Sequence, residues 1–79
     1  MTTEVRLEMS GRVGELIFND GLREIRAHAE VSGALAYDLL VSASELRSSD
    51  RAYISQEDKQ RVLAAFKEWA KMEGVSCEW

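Results

Sequence analysis

Apolar and polar residues alternate one by one in two stretches of the first 31 residues, and this pattern limits the fold more than any other feature. Every second residue is apolar or small from residue 3 to 9 and again from residue 25 to 31. Successive side chains of a strand point to opposite faces, so a period of two predicts strands with one buried face. A further strand is predicted over residues 13–18, where Gly14 suggests a bulge or a weak start.

Two turn sequences separate these predicted strands. Ser10-Gly11 follows the first strand, and Asn19-Asp20-Gly21 follows the second. Asn and Asp tolerate unusual backbone angles, and Gly accepts a positive φ without steric cost. We therefore expect a tight hairpin at Asn19-Asp20-Gly21.

The clearest single element is a helix over about residues 55–73. Ser55 and Asp58 form an S-x-x-D pattern, in which side-chain oxygens accept hydrogen bonds from the free N–H groups of a first turn. Gly74 is expected to end the helix in the left-handed conformation. An apolar stripe at helical spacing is formed by Val62, Leu63, Phe66, Trp69 and Ala70. A short closing strand is predicted to place Val75, Cys77 and Trp79 on one face.

The segment 34–47 fits two patterns. Tyr37, Leu39 and Val41 alternate as in a strand, whereas Leu35, Leu39, Ala43 and Leu46 have helical spacing. Short apolar runs cannot be assigned by periodicity alone. We expect a strand over about residues 36–42 and a helical turn near residues 44–47, followed by a polar loop over residues 48–53, and the choice between strand and helix stays open.

Together these elements predict one α+β domain over residues 1–79. Its sheet has four to five mostly antiparallel strands, and the single amphipathic helix packs on one face of that sheet. Seventy-nine residues are enough for one domain and too few for two.

Composition and the lack of known motifs narrow the range of functions expected for this chain. The net charge of −4 disfavours a sequence-independent nucleic-acid binder, which needs clustered Lys and Arg. His28 and Cys77 do not form a cluster with metal-ligand spacing, so no metal and no cofactor are expected. A lone cysteine excludes an internal disulfide and indicates a reducing, cytoplasmic location. No export signal and no apolar run of membrane-spanning length is recognised. No catalytic motif is found, and we expect a protein that is not an enzyme.

The second half of the chain carries a family resemblance. One part is the run Glu30-Val31-Ser32-Gly33, then residues 37–41, residues 44–46 and Ser49-Asp50. The other part is Ile54 to Val62, followed by Gly74-Val75. Together they resemble the small bacterial immunity proteins of polymorphic toxin systems, which have N-terminal strands, an I-S-x-E-x-K-Q-R helix start and a closing strand. The family has an aromatic residue where this chain has Ser49. The resemblance implies a protein that neutralises a toxin by direct binding.

A partner surface is predicted from the strand alternation. The helix must cover the apolar face of the sheet, which leaves the polar face open. The candidate partner-binding residues are Glu4, Glu8, Glu24, Arg26, His28 and Glu30 on that face, together with Trp79, which is either docked on the sheet or presented to a partner. The alternative function is a small homodimeric structural or assembly protein that pairs through a sheet edge or through Trp79.

Overall fold

The computed structural model describes residues 3–33, 37–50 and 52–79. In this part of the chain, six strands and one helix follow one another as β1 (Glu4–Ser10), β2 (Val13–Asn19), β3 (Glu24–Val31), β4 (Leu39–Val41), β5 (Arg47–Ser48), α1 (Gln56–Glu73) and β6 (Cys77–Glu78). The strands form one sheet in the order β1-β2-β3-β4-β6, and β5 pairs with β3. Every pair is antiparallel except β4 with β6. The predicted α+β class, with a mostly antiparallel sheet and one C-terminal helix, is confirmed.

Local side-chain chemistry closes the two N-terminal hairpins. The turn between β1 and β2 contains two residues, and Gly11 adopts a φ of 68° there. In the turn between β2 and β3, Asn19 Oδ1 accepts a hydrogen bond from Gly21 N at 2.8 Å, and Asp20 Oδ1 accepts from the N–H groups of Leu22 and Arg23. The hairpin predicted at Asn19-Asp20-Gly21 is confirmed, with Asp20 buried at its centre.

The prediction of a bulge at Gly14 is wrong. Gly14 pairs in regular register with Met9 on β1 and with Ala29 on β3. A Cβ at this position would lie 2.7 Å from Met9 Cα and closer still to the carbonyl oxygen of Glu8. The glycine is required by the close approach of β1, which no local sequence pattern reveals.

The ambiguous segment forms two short strands. Residues 39–41 form β4, as the strand interpretation predicted, and residues 34–36 lie outside the described part of the chain. The helical turn expected near residues 44–47 is instead a turn at residues 43–44 followed by β5. Both strands line up along β3, because Ser42 N donates to His28 O at 2.9 Å and Ser49 N donates to Glu24 O at 2.9 Å. Pairing with the long β3 outweighs the helical preference of Ala and Leu.

The helix begins and ends where the sequence predicts. Ser55 Oγ accepts a hydrogen bond from Asp58 N at 3.1 Å, and Gly74 ends the helix with a φ of 69°. Val62 and Phe66 are fully buried, whereas Trp69 is only half-buried and packs against the rim of the core. The core lies between α1 and the apolar face of the sheet, and its buried members include Leu16, Phe18, Ile25, Ala27, Ala29, Leu39 and Val41.

Ion pairs fix the first turns of α1 to the β2–β3 hairpin. Arg23 Nη1 lies 3.2 Å from Asp58 Oδ2, and Arg61 Nη2 lies 3.3 Å from Asp20 Oδ2. The guanidinium of Arg61 also stands 5.7 Å above the centre of the Phe18 ring. These contacts set where the helix crosses the sheet, in addition to the apolar stripe.

The packing of Phe66 generates a prediction. Phe66→Ala should lower the free energy of unfolding by about 3–5 kcal/mol, because it leaves a cavity at the centre of the core. Met72→Ala is the matched control, since Met72 is 78% exposed on the same helix, and it should change stability by less than about 0.5 kcal/mol. Chemical denaturation measures both. A loss below about 1 kcal/mol for Phe66→Ala would contradict this packing.

The close approach of β1 to Gly14 generates a second prediction about stability. Gly14→Ala should destabilise the domain by about 1–3 kcal/mol, because the added methyl group meets backbone atoms of β1 that cannot rotate away. Gly33→Ala is the control, since a Cβ there meets nothing within 4 Å. Equal thermal stability of the two variants would show that β1 moves aside at no cost.

Candidate functional site

The sheet face opposite α1, here called the open face, gathers the charged residues of the first three strands. It carries Glu4, Arg6 and Glu8 of β1, Glu15 and Ile17 of β2, Glu24, Arg26, His28 and Glu30 of β3, and Arg47 of β5. The period of two places them there, since their neighbours along each strand belong to the core on the other side. All six predicted partner-binding residues of β1 and β3 therefore share one surface.

Strand register sorts this face into rows. Arg6, Ile17 and Arg26 are directly opposite one another, and Arg47 continues the row beyond Arg26. Ile17 is fully buried although it lies on the open face. The long side chains of its two arginine neighbours can cover it while their guanidinium groups stay in water. The centre of the open face is thus an apolar residue beneath a row of cations.

Acidic residues flank the row of arginines and pair with it. The contacts form one chain of ion pairs, here called the ladder, which runs Glu8–Arg6–Glu24–Arg26–Glu15–Arg47 with nitrogen–oxygen distances of 3.0, 3.7, 2.6, 2.9 and 2.9 Å. Three glutamates balance three arginines, so the ladder as a whole is neutral. Its members are held in place by one another.

The pairing changes how these groups titrate. Hydrogen bonds from Arg26, supported by the charges of Arg26 and Arg6, lower the pKa of Glu24 against the opposing effect of partial burial. Glu24 and Glu15 in turn raise the pKa of Arg26. A carboxylate in this setting stays ionised, which suits ion pairing and not proton donation.

Two acids on the open face remain outside the ladder. Glu4 and Glu30 form no salt bridge with any residue that the structure describes, and both are exposed. They lie near opposite ends of the three long strands, since Glu4 is paired with Asn19 at the end of β2 and Glu30 with Val13 at its start. They give the open face its negative excess. His28 is half-buried in the row of Glu8 and Glu15.

A cleft opens where the open face meets β5, here called the β5 cleft. Its volume is about 700 Å³, and it is lined by Glu15, Arg26, Leu46, Arg47, Ser48, Ser49, Ala52, Tyr53, Ile54 and Lys59. Of its three cations, Arg26 and Arg47 are paired within the ladder, whereas Lys59 lies outside the ladder. Tyr53 is 84% exposed at the side of the cleft. The sequence pattern did not predict this cleft, because it depends on β5 lying beside β3.

The last predicted site residue lies apart from the others. Trp79 follows β6 and is 37% exposed. Cys77, two residues earlier, packs against the core on the helix side of the sheet. Burial, with a smaller effect of the Asp38 charge, raises the pKa of the Cys77 thiol, which therefore stays protonated at neutral pH. Trp79 is thus not brought together with the six residues of the open face.

Within the described ranges, no three His, Cys, Asp or Glu side chains are placed to hold a metal ion. No helix among these residues has the length and apolar character needed to cross a membrane. No family model, curated protein or solved structure gave a significant match to the chain.

The ladder generates a prediction about titration. In Arg26→Leu the pKa of Glu24 should rise toward that of a free glutamate, because Arg26 is the main cause of its lowering. A lowered pKa stabilises the fold above the pKa of an unfolded glutamate, and this contribution is lost as the pH falls through the lowered value. Arg26→Leu should therefore weaken the acid dependence of unfolding in that range.

Carboxyl-detected NMR titration measures the pKa of Glu24 directly. Arg47→Leu is the control, because Arg47 contacts Glu15 and not Glu24. An unchanged Glu24 pKa in Arg26→Leu would mean that the ladder does not persist in solution.

Proposed function

We propose that this chain is a non-catalytic, cytoplasmic protein-binding module that neutralises a bacterial toxin by direct binding, with the open face as its contact surface. The observation that carries the proposal is the ladder, a neutral array of charged groups fixed on a face that no other described element covers. Side chains that are already ordered lose little conformational freedom when a partner docks on them.

Charge distribution supports a partner of mixed character. Glu4 and Glu30 offer unpaired carboxylates to basic side chains, and Lys59 in the β5 cleft offers a cation to an acidic one. Complementary charges of both signs fix the orientation of a partner and suppress wrong partners. Tyr53, large and exposed beside the cleft, is of the residue type that most often anchors interfaces.

The titration behaviour supports binding over chemistry. General acids need a pKa raised toward neutrality, and Glu24 has a lowered one. The carboxylate of Glu24 already accepts hydrogen bonds from Arg26, so it is poorly suited to accept a proton from a substrate. Their arrangement favours recognition.

The family resemblance supports the finer proposal of an antidote. Its most specific residues lie at the start of α1, and three of them have structural roles: Ile54 is buried, Ser55 caps the helix and Arg61 pairs with Asp20. The order of several strands, one helix and a closing strand is the order implied by the resemblance. The resemblance therefore bears on the shared architecture, and the open face would carry the specificity for one toxin.

Co-expression tests the proposal. The chain is expressed with the products of neighbouring genes, and growth rescue and co-purification are scored. Rescue by the chain, together with a stable complex, is the expected result. Growth inhibition that the chain does not relieve, with no complex formed, would argue against the antidote function.

Association kinetics test whether the open face is the surface that contacts the toxin. Glu30→Gln should slow association with the toxin at low salt and leave the fold unchanged, because Glu30 is exposed and outside the ladder. Glu68→Gln removes the same charge from the exposed side of α1 and serves as the control. Stopped-flow measurements at low and high salt separate the two, and equal rates for both variants would place the interface elsewhere.

A second candidate function is a homodimeric structural or assembly protein. One observation favours it, namely that β1 has a strand on one side and no described strand on the other.

A further inference from the structure

One long edge of the sheet has no partner strand among the described residues. β1 is seven residues long and pairs only with β2. It contains no proline, and its register with β2 is uninterrupted, so no bulge twists this edge away from an incoming strand. An edge of this kind is a template for one further strand.

The register shows which backbone groups point outward from this edge. Val31 N donates to Arg12 O at 2.8 Å on the β2 side, and Ser42 N donates to His28 O at 2.9 Å on the β4 side. These bonds show that odd-numbered residues of β3 bond to β2 and even-numbered ones to β4. Successive residues of a strand bond to opposite neighbours, so the even-numbered residues of β2 bond to β3 and the odd-numbered ones bond to β1. The partners of those odd-numbered residues are the even-numbered residues of β1. The free N–H and C=O groups therefore belong to Val5, Leu7 and Met9.

The sequence of β1 is complementary to itself in one register. When Leu7 lies opposite Leu7 of a second, antiparallel copy, Val5 faces Met9 and Arg6 faces Glu8. The outward N–H and C=O groups of Leu7 then bond to those of Leu7 in the second copy. The two Arg6–Glu8 pairs become non-hydrogen-bonded pairs, in which the side chains of opposite residues lie closest together. Both helices fall on the same side of the joined sheet.

Neighbouring registers bring like charges together. A shift by two residues in one direction sets Arg6 opposite Arg6 and Glu4 opposite Glu8. A shift in the other direction sets Glu8 opposite Glu8. Like charges directly opposite one another destabilise a strand pair. The alternation of sign along β1 thus favours the register centred on Leu7 over both of these neighbours. The register centred on Val5 also sets Glu4 opposite Arg6, but it pairs three residues of each β1, whereas the register centred on Leu7 pairs all seven.

We propose that two copies of this chain associate through β1 in that register and form one continuous sheet across a twofold axis. This goes beyond the proposed toxin binding and does not depend on it, since the open faces of both copies remain uncovered. The occupant of the edge is a second copy of the chain, selected by the charge complementarity of Arg6 and Glu8.

An apolar groove beside the edge fits the same occupant. The groove is about 260 Å³ in volume and lies between β1 and α1, where Val5, Trp69 and Met72 line it together with Glu68 and Glu73. Met9 of the second copy stands opposite Val5 at this groove. In this register Gly11 of the second copy stands opposite Thr3, so the exposed Arg12 comes near the groove that Thr3, Glu68 and Glu73 line. Apolar and charged contacts both agree with the register.

Paired charge reversals test the proposal. Wild type should sediment at twice the 8.9 kDa chain mass, whereas Arg6→Glu and Glu8→Arg should each sediment as monomers, since each sets like charges opposite one another. Mixing the two variants should restore a dimer, because each charge of one copy then meets its opposite on the other. Glu30→Arg, a reversal away from this edge, should remain dimeric.

Amide hydrogen exchange on the wild type gives a readout that needs no variant. The amides of Leu7 and Met9 should be protected at high concentration and should exchange on dilution, whereas those of Arg6 and Glu8 should be protected in both states because they bond to β2. A monomeric wild type, failure of folded variants to pair on mixing, or a dimer with unprotected Leu7 would each overturn the proposal.

Discussion

A sheet has two faces, and in the described part of this chain there is one helix to cover them. α1 buries the apolar face through Val62 and Phe66, which are fully enclosed. The other face must therefore be compatible with water and still hold its strands together. The ladder meets both demands, because three of its five ion pairs join residues of different strands. Ile17, fully buried beneath the arginine row, shows that this face is packed as well as charged.

The position of the helix follows from a second constraint, which links local and distant structure. The hairpin turn after β2 closes on the side chain of Asp20, and the same side chain receives Arg61 from the helix. Backbone hydrogen bonds, with a further contribution from Arg61, lower the pKa of Asp20, so the contact is ionic at neutral pH. Arg23 of the same turn holds Asp58, whose own N–H is capped by Ser55. The turn after β2, the cap of α1 and the crossing of α1 over the sheet thus depend on one connected set of side chains.

The accuracy of sequence-based prediction follows the range of the interactions. Ser55 and Gly74 act on groups within four residues of themselves, and both ends of the helix were predicted. The alternation of β1 and β3 is also local, and it placed six candidate residues on one face. Gly14 and β5 were interpreted wrongly because each depends on a distant strand, β1 in one case and β3 in the other. The candidate site was incomplete for the same reason. Glu15 lies in an apolar run, and Arg47 reaches the open face only through β5, so the ladder could not be assembled from pattern alone.

Charge on an edge strand has two possible consequences, and the arrangement of signs decides between them. A row of one sign keeps other strands away, which is how many proteins protect an exposed edge. On β1 the signs alternate as Glu4, Arg6 and Glu8, and such a row attracts a copy in the register centred on Leu7 and repels it in the two registers next to that one. Ion pairs at the surface add little to stability, so Arg6 and Glu8 would select the register while the backbone of Val5, Leu7 and Met9 supplies the cohesion. The same two side chains already end the ladder within one copy. Across the proposed twofold axis the ladders of two copies would meet there, and the open face would become a single charged surface of twice the length.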